Sequence, residues 1–323
     1  MHLYLNLQLN NNYRNMKLIK PSYQIIKPTG YTIDDIYKSI ELVGRVSHKS
    51  EDKITENSAK TFVERMIKLN HGATLEHGTV YLSIPYNFIH RITNIGLCRK
   101  YIKNPYSKCF IYYDIAKTSL NFRSEFGCLI TKYLAVTTNL RVLVENNWLD
   151  DLKYLCKPTK FHEKRYTVKY VCDRATANEF VRHRKFSFLQ ESTRYCNYSK
   201  DKFNNELTFI KPYWVEYLGE INVNTELCFL SNQYNREDPN LRFLASLANS
   251  KHNYLALLNK GWKPEQARNI LPLSLKTELY MTGFISDWEH FFKLRCATNA
   301  HPQARELAIP LKEEFIKERY IIE

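Results

Sequence analysis

An apolar helix stripe that ends on an arginine restricts what this chain can fold into. In the stretch ATANEFVRHR, Ala177, Phe180, Val181 and Arg184 fall at i, i+3, i+4 and i+7. That spacing predicts a helix turning apolar side chains and a guanidinium toward the same interior. The stretch SDWEHFFKLRC repeats the pattern, with Arg295 in line with Trp288, Phe291 and Phe292. A guanidinium taken out of water without a partner is very costly. The fold must therefore bring an anion to each arginine, either an Asp or Glu of the chain itself or part of a ligand.

The charge balance favours anionic partners without choosing among them. The chain has 323 residues, enough for a sizeable core, and a formal charge of +14. Nucleic acid, a phosphorylated metabolite or a dinucleotide would each suit that excess. No run of about 18 apolar residues is present, so no membrane span is expected. The start, MHLYLNLQLNNNYRNMK, has no basic region, apolar run and cleavage site in series, and does not read as a secretion signal. Residues 1–15 read as a flexible Asn-rich extension, and residues 16–323 as one domain. The eight cysteines are scattered with no C-x-x-C pair, which predicts reduced thiols of a cytoplasmic protein and no metal site.

Local patterns predict strands and helices in mixed order. YQIIK (23–27) reads as a first strand, and Thr32 with Asp35 as a capping arrangement opening a helix to about Val43. NSAKTFVERMIKL reads as a helix with Phe62, Met66 and Leu69 on one face, and GTVYLSIPY alternates as a strand. FIYYD reads as a strand and TTNLRVLVENNWLDDLKYL as a helix. KRYTVKYVC alternates as a strand, and the helix after it places Thr176 and Glu179 in capping-box spacing. The C-terminal third reads as mostly helical, broken at LPLSLKTELYM, with Pro302 in the first turn of the last helix. Without βαβ regularity, this mixture predicts an α+β fold.

The segment FVRHRKFSFLQESTRY is not a plain solvated basic face. Gln190, Ser192 and Thr193 supply neutral hydrogen-bonding groups beside Arg194, and arginine offers a planar two-pronged fork to phosphate. The constellation suits a phosphorylated small molecule held beside a second anionic group. For Arg184 and Arg295 singly, a structural ion pair with Asp or Glu is an equal alternative.

Arg182-His183-Arg184, seven residues, then Ser192 resembles the signature of the flavin-dependent thymidylate synthases, and STRY continues the likeness. GRVSHKS (44–50), NHGATLEHGTVYLSI (70–84), EQARNILPLSLKTELYMTGF and SDWEHFFKLRCATNAHPQARELA are similar to other segments of that family, in the same order. The resemblance implies the family's thymidylate-synthase-complementing fold, a mixed or antiparallel sheet with long helices. It implies an FAD-dependent methyltransferase that makes dTMP from dUMP, with methylenetetrahydrofolate as carbon donor and NADPH as hydride source. It further implies a homotetramer with active sites shared between subunits, and no nucleic-acid or membrane partner.

By position, the resemblance assigns Arg182, His183 and Arg184 to FAD, with Arg182 also near the nucleotide. His71, Ala73 and Glu76 would lie by the flavin, Ser47 near its phosphates, and Gln190 and His290 within its reach. Glu179, Gln190, Glu191, Ser192, Thr193 and Arg194 would hold dUMP, with Arg268 reaching over from another subunit. Arg295 would sit at the pyrimidine, where its fixed charge favours ionisation at N3. Arg295 and Ser192 are thus the catalytic candidates, and Ser192 is read as a binder rather than a nucleophile.

Several positions depart from the family pattern. Ala73 stands where a Ser or Thr is usual, Glu179-Phe180 where Gln-Trp is usual, and Phe284 and Ser286 where Asn and Arg are usual. A stretch at about 90–165 reads as an inserted α/β segment whose TTNLRVLVENNW helix either covers the site or extends a tetramer interface. Two other readings stand beside the enzyme: a catalytically silent flavin-binding relative, and a basic module for single-stranded nucleic acid.

Overall fold

In the computed structural model the described residues are 15–86, 93–113, 132–200, 206–215, 219–222 and 238–322. Most of the Asn-rich extension, and parts of the 90–165 stretch, lie outside them. The described elements mix helices with largely antiparallel sheets, an α+β arrangement.

The central sheet has four antiparallel strands. They are β2 (Ser22–Ile26), β6 (Arg165–Asp173), β7 (Ser187–Gln190) and β10 (Lys276–Phe284), in the order β2-β6-β10-β7. A strand β1 (Asn15–Ile19) precedes β2 and forms a second, three-stranded sheet, parallel to β8 (Leu207–Ile210) and antiparallel to β9 (Gly219–Asn222). The third sheet is antiparallel, with β5 (Lys132–Asn139) between β3 (Thr79–Tyr86) and β4 (Lys108–Tyr113).

Helices cover these sheets where their apolar stripes demand it. Helix α1 (Ile33–Arg45) opens on the expected Thr32–Asp35 capping box and buries Ile36, Ile40 and Val43. Helix α2 (Ser58–Lys68) buries Ala59, Val63 and Met66, and Phe62 of the expected face packs partly buried against the same core. Leu69 is left half-exposed because the helix has already ended. Asn70 there takes a left-handed φ of 54°, and the His71 amide bonds back to Met66 O, a Schellman-type stop. A single helical turn, α3 (Gly72–Leu75), follows. Ahead of β4 lies α4 (Thr93–Ile102).

The TTNLRVLVENNW stretch is not one helix. Its first residues finish β5, which is rich in β-branched and aromatic side chains, and Asn139 then caps a short helix, α5 (Leu140–Glu145), by accepting from Val142 N.

The other face of the central sheet carries α6 (Arg174–Phe180), α8 (Ile285–Arg295) and α9 (Pro302–Lys317); α7 (Pro239–Asn259) packs on the β1–β8 side. Pro302 stands at the start of α9 as expected. LPLSLKTELYM is no mere break: it supplies most of β10, the buried strand between β6 and β7. Phe180, Trp288, Phe291, Phe292 and Phe315 form the aromatic centre of the core beneath it.

Candidate active site

Helix α6 ends sooner than its periodicity suggests. Asp173 caps it, accepting from the Thr176 amide at 2.8 Å and the Thr176 hydroxyl at 2.7 Å, so Thr176 lies inside the first turn rather than capping it. The last helical residue is Phe180. Beyond it the chain turns, the His183 amide bonding to Phe180 O at 3.0 Å, and the i+7 extrapolation to Arg184 fails. Arg184 is exposed, as is Arg182, while His183 swings inward.

Arg295 does face inward, and its anion belongs to the chain. Its Nη1 donates to Glu179 Oε2 at 2.6 Å and its Nη2 to the Glu179 carbonyl at 2.7 Å. Its Nε donates to His183 Nε2 at 2.9 Å. Because arginine has no acceptor, His183 must offer the lone pair of a neutral ring, protonated on Nδ1. Burial against Phe291, then the charge of Arg295 and the neighbouring His290, lower the His183 pKa to about 4. Glu179 thus serves Arg295 and takes no part in a capping box. His290 is exposed on α8, its ring 6.4 Å from that of His183.

Strand β7 delivers the second cluster. Gln190, its last residue, donates from Nε2 to Thr277 Oγ1 at 3.1 Å. The next two amides tie the chain down, Glu191 N to Glu278 O at 2.8 Å and Ser192 N to Ser47 O at 3.1 Å. Ser47 and Ser192, 145 positions apart in sequence, therefore sit on adjoining loops. The Ser192 hydroxyl accepts from Arg194 N at 3.3 Å, and Arg268 Nη1 donates to Thr193 Oγ1 at 3.3 Å within the same chain. Arg194 and Tyr195 are exposed, and Tyr195 stacks on His48 with centroids 4.3 Å apart.

Beneath these loops lies a charge network that the motif reading missed. The buried Glu191 carboxylate accepts from Lys276 Nζ and from Tyr198 OH, each at 2.9 Å. Lys276 also reaches Glu278 at 2.7 Å, and Glu278 is met by Lys169 at 2.7 Å and by Lys49. Burial pushes the Glu278 carboxyl up, but the lysines outweigh it and hold it far below the usual range. Burial likewise works against the charge on Lys276, which Glu191 and Glu278 more than restore, raising its pKa. Glu191 reads as the buried anchor of its loop, with its side chain turned away from solvent. The available signal was the alternation in KTE, which puts Lys276 and Glu278 on one face of a strand.

The third cluster is the His71–Glu76 turn. His71, just before α3, and Ala73 on it are exposed, and Glu76 is half-buried. Arg141 of α5 pairs with Glu76 through Nη1 and with Glu145 through Nε at 2.7 Å. It lies so close over Gly72 that a Cβ there would meet the guanidinium at 2.7 Å. Thus the 90–165 stretch sends a cation to a residue assigned to the flavin. It also meets the start of α8, where Glu163 accepts from the Ser286 hydroxyl at 2.6 Å and Lys108 lies over the buried Phe284 ring.

Arg182, Arg184 and Arg194 carry no ion pair among the described residues, and no group of described residues could hold a metal ion. No helix of the described residues is long and apolar enough to cross a membrane.

Comparison with known proteins bears on this arrangement. A family model described as thymidylate synthase complementing protein matches residues 135–318, starting inside the stretch read as an insertion and taking in β6 through α9. A flavin-dependent thymidylate synthase of Synechocystis sp. is 31% identical over 153 residues, which are 47% of this chain and 66% of that protein. A probable flavin-dependent thymidylate synthase of Paramecium bursaria Chlorella virus 1 is 29% identical over 194 residues, 58% of this chain and 84% of that protein. The flavin-dependent thymidylate synthase of Pyrococcus furiosus is 32% identical over 146 residues, 45% of this chain and 52% of that protein. The chain thus spans just under two thirds of the first relative and about half of the third.

Proposed function

The chain belongs to the thymidylate synthase complementing family, that of the flavin-dependent thymidylate synthases, and from that premise we propose that it is an FAD-dependent methyltransferase converting dUMP to dTMP. The observation that carries the reading is the contrast among its arginines. Arg295 is ion-paired inside the chain with Glu179, whereas Arg182, Arg184 and Arg194 project outward without ion pairs among the described residues. Unpaired guanidinium forks on one short segment fit the phosphates of a nucleotide and of a dinucleotide cofactor.

The residues present fit such a cofactor. Arg182, Arg184 and the polar face of His183 would hold FAD, with Ser47, His71, Ala73, Glu76, Gln190 and His290 toward it. When bound, FAD supplies the redox chemistry, fed by NADPH, while methylenetetrahydrofolate supplies the carbon. On the nucleotide side, Arg182, Arg194 and Arg268 would offer charge, and Ser192 and Thr193 hydroxyls. Gln190 would contribute its amide, and Glu191 its backbone. Ser192 fits a binder, because the Arg194 amide is its hydroxyl's hydrogen-bond partner and no base lies against it among the described residues. Arg295 would act at the pyrimidine as a charge already oriented by Glu179 and His183.

The fold is taken as that of the family, in a homotetramer with shared sites in the cytoplasm. Outward-splayed arginines suit a site that a second copy completes. A direct test is to add FAD to the purified protein, desalt it and record the visible spectrum. The expected result is a retained flavin band that weakens in Arg182→Ala. A protein that stays colourless would reject the flavin reading.

A further inference from the structure

A cavity of about 310 Å³ opens where the 90–165 stretch leaves the rest of the fold and returns to it. His77, Thr79 and Tyr81 line it on the way out, and Lys164 and Arg165 on the way back. Helix α1 closes it with Ile36 and Val43, so one wall is apolar. No Asp or Glu is among its described lining residues.

Arg165 is the unusual wall residue. Its Nη1 donates to Glu76 O at 3.0 Å and to Thr79 Oγ1 at 3.2 Å, and its Nη2 to Ser187 Oγ at 3.2 Å. All three acceptors are neutral. Its Nε is buried without a hydrogen-bond partner, and no carboxylate pairs with it among the described residues. A guanidinium has five N–H donors, so two stay uncommitted. Burial lowers its pKa to about 10, which leaves it charged at neutral pH. Lys164 at the mouth is exposed and unpaired among the described residues, while Lys27 at the rim is drawn off by Glu318 at 3.4 Å. The Tyr81 phenol, pushed up to about 12 by burial, stays a neutral donor.

A part-buried guanidinium whose hydrogen bonds all go to neutral oxygens gains from an anion that completes it. Glu76 and Asp287 act on Arg165 only through space, without the direct ion pair that Glu179 makes to Arg295. The volume lies at the small end of ligand pockets, room for one ring-sized body. We propose that this cavity binds a small organic oxyanion, a carboxylate or phosphate on an apolar ring-sized body, with Arg165 and Lys164 taking the charge. It uses none of the residues assigned to dUMP or FAD, although Arg165 touches the backbone of Glu76.

Isothermal titration calorimetry of the purified full chain with benzoate, phenyl phosphate and inorganic phosphate tests this. The expected result is saturable 1:1 binding of benzoate or phenyl phosphate, the tighter of the two telling carboxylate from phosphate. Inorganic phosphate should bind more weakly, since it leaves the apolar wall uncovered. Arg165→Gln should weaken the arene anion about tenfold or more, the loss of a charge-assisted hydrogen bond. Because Arg165 also ties three chain segments together, Lys164→Gln at an exposed position is the companion variant, with a loss of about threefold expected. Absence of saturable binding by both arene anions would overturn the proposal. So would affinities unchanged in both variants, or displacement of the probe by stoichiometric dUMP.

Discussion

Replacing Arg295 with alanine tests the best-defined geometry in the candidate site. The side chains of Arg295 and Glu179 are 16% and 27% exposed, between a surface pair and a fully buried one. Exposed pairs are worth about 0–1 kcal/mol and breaking buried ones costs about 3–5. The expected loss, including the bond to the Glu179 carbonyl, is about 2–3 kcal/mol in urea denaturation at pH 7. A double-mutant cycle with Glu179→Gln should return a coupling of about 1–2 kcal/mol. His183 adds a pH arm. Its folded pKa of about 4 lies below the ordinary 6.5, so the unfolded chain binds more protons between those values. That stability is whole above pH 6.5 and is lost as pH falls toward 4, by up to about 3 kcal/mol. Removing Arg295 takes away the second cause of the depression, burial being the first, so the variant should lose less over the same window. A coupling under about 0.3 kcal/mol, with an acid dependence identical to that of the parent, would refute this account of the cluster.

Three further outcomes are expected. Lys276→Met strands the wholly buried Glu191 carboxylate and should cost about 3–5 kcal/mol in urea denaturation, with Glu191→Gln added to it recovering a large part. Arg141→Ala frees Glu76 in a half-exposed pair, so stability should change by less than about 1 kcal/mol, while FAD affinity by fluorescence titration should fall; an unchanged affinity would separate Arg141 from the flavin. Ser192→Ala should raise the KM for dUMP and keep turnover at saturation, whereas no turnover with intact nucleotide binding would make Ser192 more than a binder.

The parts of the fold legible in the sequence were those governed by local chemistry. The Thr32–Asp35 cap, the alternation of β3 and β6 and the Pro302 start all depend on neighbours within a turn or a strand. What misled was extrapolation past an element's end. Arg184 stood on a helical stripe only if the helix continued, and the turn after Phe180 rotates it outward. The same stripe argument worked for Arg295 because α8 runs unbroken to that residue. TTNLRVLVENNW read as one helix because β-branched runs carry little information on where a strand gives way to a capped turn. At the site, the motif residues were legible but their partners were not. Glu191–Lys276, Glu76–Arg141 and Arg295–Glu179 span 65 to 116 positions, and only the folded chain brings them together.

The central claim is that these side-chain clusters serve thymidylate synthesis, and NADPH oxidation followed with and without dUMP tests it most directly. The account predicts oxidation that depends on dUMP when FAD is present, with dTMP formed once methylenetetrahydrofolate is supplied. A flavin-bound protein that oxidises NADPH equally without dUMP and yields no dTMP would contradict it.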